Sequence, residues 1–337
     1  MANDNLPDFL SALLQAQHDD CLADDNVRLV QTHISFVLLA GEFVYKFKKP
    51  VDFGFLDFST LAKRQHCCEQ ELLLNRRLCP DIYLDLVTVT KEGDSYALNG
   101  SGEVVEYAVK MARMPEEKMM GNLIQAGRLD RGHIDSIVDK LIPFYQQADR
   151  TGEIDGYGTA ASVAVNVLEN FEQTQGFINK GAITQEQFDT ISSWAKTFLT
   201  QEDLFTRRIQ GGNIRDCHGD LYSANICLAD KVYIYDCIEF NRRFRYCDVA
   251  SDIGFLAMDL DFHGLRDLSD YCIEQFCERA GDSTLQEMLN FYKCYRAYVR
   301  GKIGLFTAAD PAVDEAVKTS CLEAAAKYFA LAESYTK

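Results

Sequence analysis

Hydrophobic periodicity divides the chain into a strand-rich beginning and a helical remainder. Phe9, Leu10, Leu13 and Leu14 recur at helical spacing, so residues 7–17 are predicted to form a short amphipathic helix. The pattern then switches to short β-rich runs at 28–31, 35–39 and 42–48, with Ala40-Gly41 as a tight turn between the last two. After Pro50, residues 51–58 read as a loop, and Ser59 is a plausible cap for a helix running to about Leu78. Two further strands are expected at 86–90 and 104–111, separated by the turn-rich Glu92-Gly93-Asp94 and 99–102, and Pro115 stops the second. From Glu116 onward the period is helical, with amphipathic stretches near 133–148, 162–175 and 184–200 and a long run from Asp248 through Arg300. At 337 residues the chain exceeds the ~250 to 300 at which single cores stop growing, so two bodies are expected.

One segment interrupts the helical part. Asp216-Cys217-His218-Gly219-Asp220-Leu221-Tyr222-Ser223-Ala224-Asn225-Ile226 is followed by the apolar run 232–235 and then Asp236. Phosphoryl transfer needs a carboxylate to take or orient the acceptor's hydroxyl proton, and oxygen ligands to hold Mg²⁺ on nucleotide phosphates. Asp220, Asn225 and Asp236 supply both, at a spacing that fits loop, short strand, turn, strand and metal ligand. His218 reads as a packing and hydrogen-bonding residue of the loop.

His-Gly-Asp, four residues, then Asn resembles the signature of the aminoglycoside phosphotransferase family within the protein-kinase-like superfamily. Gly219 stands where protein kinases carry Arg, which points to the small-molecule branch. The resemblance covers almost the whole chain. The run 48–61 and the segment 76–84 are similar to an uncharacterised bacterial branch of that family. It implies an α+β, protein-kinase-like two-lobed fold, with a small β-rich nucleotide-binding lobe over 1–114 and a larger helical lobe over 115–337 carrying the catalytic loop and acceptor site. It further implies that Asp220 is the catalytic base and that Asn225 and Asp236 bind the metal. Lys46 resembles the strand lysine that holds the α and β phosphates, with Lys48 and Lys49 as alternatives. Lys46 and Lys48 share a strand face and stay undistinguished. Glu71 resembles the helix glutamate that pairs with this lysine, with Glu69 as the alternative.

Other positions follow from the same resemblance. The turn Gln31-Thr32-His33-Ile34-Ser35 replaces a glycine-rich lid, making Thr32, His33 and Ser35 candidate nucleotide-loop residues. Ala112-Arg113-Met114-Pro115 falls at the hinge, where backbone groups around Arg113 would meet an adenine and Met111 or Met114 would pack on it. Asp248 and Asp252 are expected to brace the catalytic loop. Glu239, Asn241, Arg242, Arg243 and Arg245 are expected to line or brace an acceptor cleft, which Arg296 and Arg300 could join. The Phe-Gly that follows the metal aspartate in protein kinases is absent after Asp236, as it also is in the antibiotic-kinase branch. Some members of the similar branch carry a second domain with a phosphate-binding loop, but Gly-x-x-x-x-Gly-Lys-Ser/Thr does not occur here, so no such domain is expected.

Composition narrows the partners. A formal charge of −17 and the lack of any Lys/Arg-dense stretch argue against nucleic acid. Twelve cysteines without a Cys-x-x-Cys pair suggest a reduced cytoplasmic compartment, with Cys217, Cys227 and Cys237 as small apolar packing residues. Residues 1–5 lack the features of a secretion signal, and no apolar stretch reaches ~18 residues, so no membrane span is expected. The expected function is a Mg²⁺-dependent transfer from ATP or GTP to a hydroxyl of a small molecule. The alternatives are a non-catalytic protein, either a nucleotide-binding pseudokinase or a scaffold, and an enzyme acting on a protein side chain. Donor base, acceptor and oligomeric state stay open.

Overall fold

The computed structural model describes residues 6–15 and 27–337. The end of the first predicted helix, at 16–17, the terminal residues 1–5 and Cys21 lie outside the described residues. The chain divides into two compact units: residues up to 118 together with 233–241, and residues 119–232 together with 242–337.

The small unit is built on a six-stranded antiparallel sheet with β1 Arg28–Gln31, β2 Ser35–Ala40, β3 Phe43–Lys48, β4 Tyr83–Glu92, β5 Ser95–Leu98 and β6 Glu103–Ala112, in the order β1-β2-β3-β6-β4-β5. Helix α1 (Asp8–Gln15) lays Leu10 and Leu13 on one set of sheet residues, Phe36, Leu38, Tyr45, Phe47 and Val87. A second cluster joins Cys68 of α2 (Leu61–Asn75) to Tyr83, Val109 and Met111, with Val44 packed against it. Strand alternation therefore sends Tyr45 and Phe47 toward α1, and sends Lys46 and Lys48 to the face of Val44 and α2.

Two local expectations needed correction. The stretch read as turns before the last strand contains β5, which pairs with β4 in a hairpin turning at Gly93, φ +59°. Four residues leave too little alternation to register as a strand. The cap of α2 is Thr60, whose hydroxyl accepts from the Lys63 N–H at 3.3 Å; the Ser59 hydroxyl instead donates to Asp57 at 2.6 Å.

The large unit is mainly helical. Its elements are α3 Met120–Gln125, α4 Arg131–Gln147, α5 Gly152–Gly156, α6 Ala160–Thr174, α7 Gln185–Leu199, α8 Glu202–Gln210, β7 Ile214–Asp216, β8 Ile226–Leu228, α9 Arg242–Arg245, β10 Tyr246–Asp248, α10 Val249–Phe262, α11 Arg266–Ala280, α12 Leu285–Ala309 and α13 Glu315–Ser334. Strand β9 (Val232–Ile234) carries the chain into the 233–241 segment. Every residue of α10 from Val249 to Leu260 is buried, including the polar Ser251, Asp252 and Asp259. Gly301 lets α12 meet α13, since a Cβ there would stand 2.8 Å from the Phe329 ring. The single helical run expected from 248 to 300 is three helices, parted at Gly264 (φ +76°) and Gly281 (φ +68°), where the backbone turns left-handed. Strand β7 pairs antiparallel with β10, Asp216 opposite Tyr246, which fixes the entry to the 217–225 loop. Among the described residues no helix is long and apolar enough to cross a membrane.

Candidate active site

The small unit assembles five ionisable side chains from three elements. On β3, Lys46 donates to Glu71 Oε1 at 2.8 Å and to Asp236 Oδ1. Two residues on, Lys48 donates to Glu71 Oε2 and Glu239 Oε1. The carboxylate of Glu71 is thus shared, one oxygen to each lysine. Glu69, the alternative partner, is exposed and accepts from Gln65 at 3.0 Å. Lys49 is elsewhere, bonded to Gln31 at 3.2 Å.

Exposure separates the two lysines that the sequence left equivalent. Side-chain exposure is 15% for Lys46 and 41% for its partner Asp236, but 1% for Lys48 and 4% for Glu239. Burial alone would lower the affinity of Lys46 for its proton; Asp236, Glu71 and Glu239 outweigh it and hold the pKa well above the ordinary lysine value. Burial likewise opposes ionisation of Glu71, yet Lys46 and Lys48 bring its pKa below the ordinary glutamate value. Glu239 goes the other way, because burial exceeds what Lys48 returns. Asp236 adopts φ +63°, a left-handed conformation uncommon for a non-glycine residue. Its N–H donates to the Tyr83 hydroxyl at 3.2 Å, and the next N–H, of Cys237, donates to Asn75 Oδ1 at 2.8 Å.

The large unit holds the His-Gly-Asp loop. Asp252 of α10 accepts the N–H of His218 at 2.8 Å and of Gly219 at 2.9 Å, and the Tyr145 hydroxyl at 3.0 Å. Asp259, two turns along the same helix, accepts the Ser223 N–H at 3.0 Å. Gly219 sits at φ +86°, so the glycine is what the loop's path demands. Arg296 of α12 donates to the Gly219 carbonyl at 2.9 Å and to Ser251 at 3.0 and 3.2 Å. His218 is fully buried, and its Nδ1 accepts the Asp220 N–H at 3.3 Å. Asn225 donates its amide to Asp220, to the backbone oxygen at 3.0 Å and to Oδ2 at 2.9 Å. Its carbonyl oxygen is what remains for a cation.

Several expected residues are engaged in other contacts. Thr32 accepts from Ser35 N–H at 2.9 Å within its own turn, and the Ser35 side chain is buried with no hydrogen-bond partner for its hydroxyl. Met111 lies in the α2 cluster, and the Arg113 N–H donates to Glu42 O at 2.8 Å. Arg243 forms a two-bond pair with Glu169 at 2.7 Å, while Arg245 reaches the buried Asp216 at 2.6 Å. Asn241 donates to Phe55 O at 2.9 Å. Cys217, Cys227 and Cys237 are buried. Sequence reasoning missed Asn75, Tyr83 and Asp259; Asn75 follows Glu71 by four residues, the spacing that puts two side chains on one helix face.

No family model matches the chain. Uncharacterised proteins of Mycobacterium tuberculosis and Mycobacterium bovis are 35% identical to it over 275 residues, 81% of this chain and 53% of theirs. The chain thus spans about half the length of the curated relatives it matches. Among solved structures, a choline/ethanolamine kinase family protein from Mesorhizobium loti superposes with TM-score 0.53 at 9% identity, covering 98% of this chain and 99% of that one. An amicoumacin kinase in complex with AMP-PNP, Ca²⁺ and Ami superposes with TM-score 0.50 at 11% identity, covering 95% of each. The fold is the α+β protein-kinase-like fold of these small-molecule kinases, with an antiparallel-sheet N-terminal lobe and a mainly helical C-terminal region.

Proposed function

We propose that this kinase-like chain is a Mg²⁺-dependent phosphotransferase of the aminoglycoside phosphotransferase family, moving the γ-phosphoryl group of ATP or GTP to a hydroxyl of a small molecule. The observation that carries the reading is the Lys46–Glu71–Asp236 arrangement: a charged lysine held by a buried glutamate beside a partly exposed aspartate. Such a lysine offsets charge on α and β phosphates. The donor set suits Mg²⁺, which takes hard oxygen ligands and usually rests on one or two carboxylates plus substrate phosphates. Asp236 offers the carboxylate; Asn225's share in the same ion rests on the motif spacing. When bound, the ion would neutralise charge building on the phosphate oxygens.

The other steps belong to this chain's own side chains. Asp220 takes or orients the proton of the acceptor hydroxyl as its oxygen bonds to the γ-phosphorus and the bond to the β–γ bridging oxygen breaks, releasing the nucleoside diphosphate. Asn225 keeps the Asp220 carboxylate aimed by donating to it. Positioning and charge neutralisation carry most of the rate in such a site.

The test is the shift in melting temperature with ATP and GTP, with and without Mg²⁺, for wild type and Asp236→Ala. A site filled at ~100 times its Kd gains about 2.7 kcal/mol, and each kcal/mol moves a protein of this size by about 1 to 2 °C. A Mg²⁺-dependent shift lost in the variant supports the reading. No shift with either nucleotide overturns it and favours a scaffold.

A further inference from the structure

Lys48 is not explained by the proposed chemistry. Its side chain is 1% exposed, too deep to meet a nucleotide, and it lies 5.3 Å from the centroid of the Phe58 ring. Placing an ammonium there costs desolvation energy that only close pairing offsets. It is paired twice, to Glu71 of α2 and to Glu239 of the segment that carries Asp236.

That segment needs holding. Asp236 is in a left-handed conformation, uncommon for a non-glycine residue though one that aspartate tolerates better than most. One face of α2 grips the chain just after it. Asn75 accepts the Cys237 N–H, and its own amide donates to the Glu71 backbone oxygen at 2.9 Å. Four residues earlier on the helix, Glu71 reaches Glu239 only through the Lys48 ammonium. The segment is therefore pinned at 237 by a direct bond and at 239 by an ion bridge. Because the two Glu71 oxygens are divided between Lys46 and Lys48, the same bridge also stops Glu71 from turning away from Lys46.

We propose that Lys48 is a positioning residue: by joining Glu71 to Glu239 it fixes the backbone that presents Asp236 to the metal and fixes Glu71 against Lys46. This rests on the reading of Asp236 as the metal ligand of a nucleotide site.

The experiment measures the Mg²⁺ concentration at half-maximal nucleotide binding, by titration well below the melting temperature, for wild type, Lys48→Met, Glu239→Gln and the double variant. Outer-shell partners of metal ligands typically contribute 10- to 100-fold in metal affinity, so Lys48→Met should raise the midpoint by about tenfold or more. Methionine keeps the stem but strands two buried carboxylates. Neutralising one of them in the double variant should therefore recover part of the loss, giving effects that do not multiply. A purely structural lysine would lower the melting temperature and leave the Mg²⁺ midpoint in place. An unchanged midpoint in Lys48→Met, or single effects that simply multiply, overturns the proposal. Should Lys48→Met not fold, Glu239→Ala decides, since it removes the acceptor at the 239 end of the bridge: a raised midpoint supports the role and an unchanged one overturns it. Wild-type protein without any Mg²⁺-dependent binding overturns the phosphotransferase reading itself, a result distinct from a normal wild type with an unaffected variant.

Discussion

In the small unit, Lys46, Lys48, Glu71, Asp236 and Glu239 are held by alternating full charges drawn from β3, α2 and the 236–239 segment. In the large unit, the 217–225 loop is held by two carboxylates of α10 that accept neutral backbone N–H groups, with Arg296 closing on a backbone carbonyl. The first arrangement sets charge, and removing one member leaves another unpaired in a buried place. The second sets shape, and its members can be exchanged only for groups that accept the same N–H bonds. The two halves should accordingly fail in different ways.

The largest effect is expected at Asp220, which lies in the shaped half and is proposed to act through its own proton chemistry. Asp220→Asn should lower turnover by ~10² to 10⁴, the usual contribution of a general base. Nucleotide affinity should stay near wild type, and steady-state kinetics beside binding titration would show the split; equal losses in both would contradict the assigned role.

Asp252 comes next. Asp252→Ala strands the buried N–H groups of His218 and Gly219 and the Tyr145 hydroxyl, so urea unfolding should report a loss of about 3 to 5 kcal/mol. If instead the loop tolerated the change with less than about 1 kcal/mol lost, shape would not be what Asp252 supplies.

For the charged half, acid is the sharper probe. Glu71 has a folded pKa below its ordinary value, because Lys46 and Lys48 overcome its burial. The unfolded chain then binds the extra proton, so this stability is fully present above the ordinary glutamate pKa of ~4.3 and is lost as pH falls toward the depressed folded value. Unfolding free energies measured from pH 6 down to the acid limit should therefore fall less steeply below ~4.3 in Glu71→Gln than in wild type. Parallel curves would mean the pair contributes no pH-linked stability.

The smallest effect concerns Lys302 on α12 of the large unit, which makes no part of either arrangement. Burial brings its pKa down to about 8, partly resisted by Glu169, and its ammonium donates to Gln173 at 2.8 Å. Here the unfolded chain holds more protons between pH 8 and the ordinary lysine value, so stability rises with pH across that interval. Lys302→Met should remove that rise in denaturant titrations, and its persistence would assign it to another group.

The legibility of the two halves in sequence differs for the same physical reason. The shaped half is local: His218 to Asn225 is one contiguous motif, and the role of Gly219 follows from a backbone requirement that only glycine meets cheaply. Asp252 was expected as a brace from the family resemblance, whereas Asp259, seven residues further along the same helix, was not singled out. The charged half is non-local. Strand alternation put Lys46 and Lys48 on one face but could not say which of them α2 would bury, since that depends on how helix and strand register in space. Glu71 and Glu69 were similarly separable only once the helix was docked. Strand β5 was missed for its brevity, and the breaks at Gly264 and Gly281 because isolated glycines are tolerated inside helical patterns.

The most direct measurement of the central claim is transfer itself. Wild type and Asp220→Asn would be incubated with nucleotide labelled in the γ-phosphoryl group, Mg²⁺ and a fractionated pool of hydroxylated small molecules, including amino sugars and carboxylated and phosphorylated compounds. The account predicts a labelled small-molecule product that requires Mg²⁺ and disappears with Asp220→Asn. Nucleotide bound by wild type while no label moves, or label moving equally well with Asp220→Asn, would contradict it.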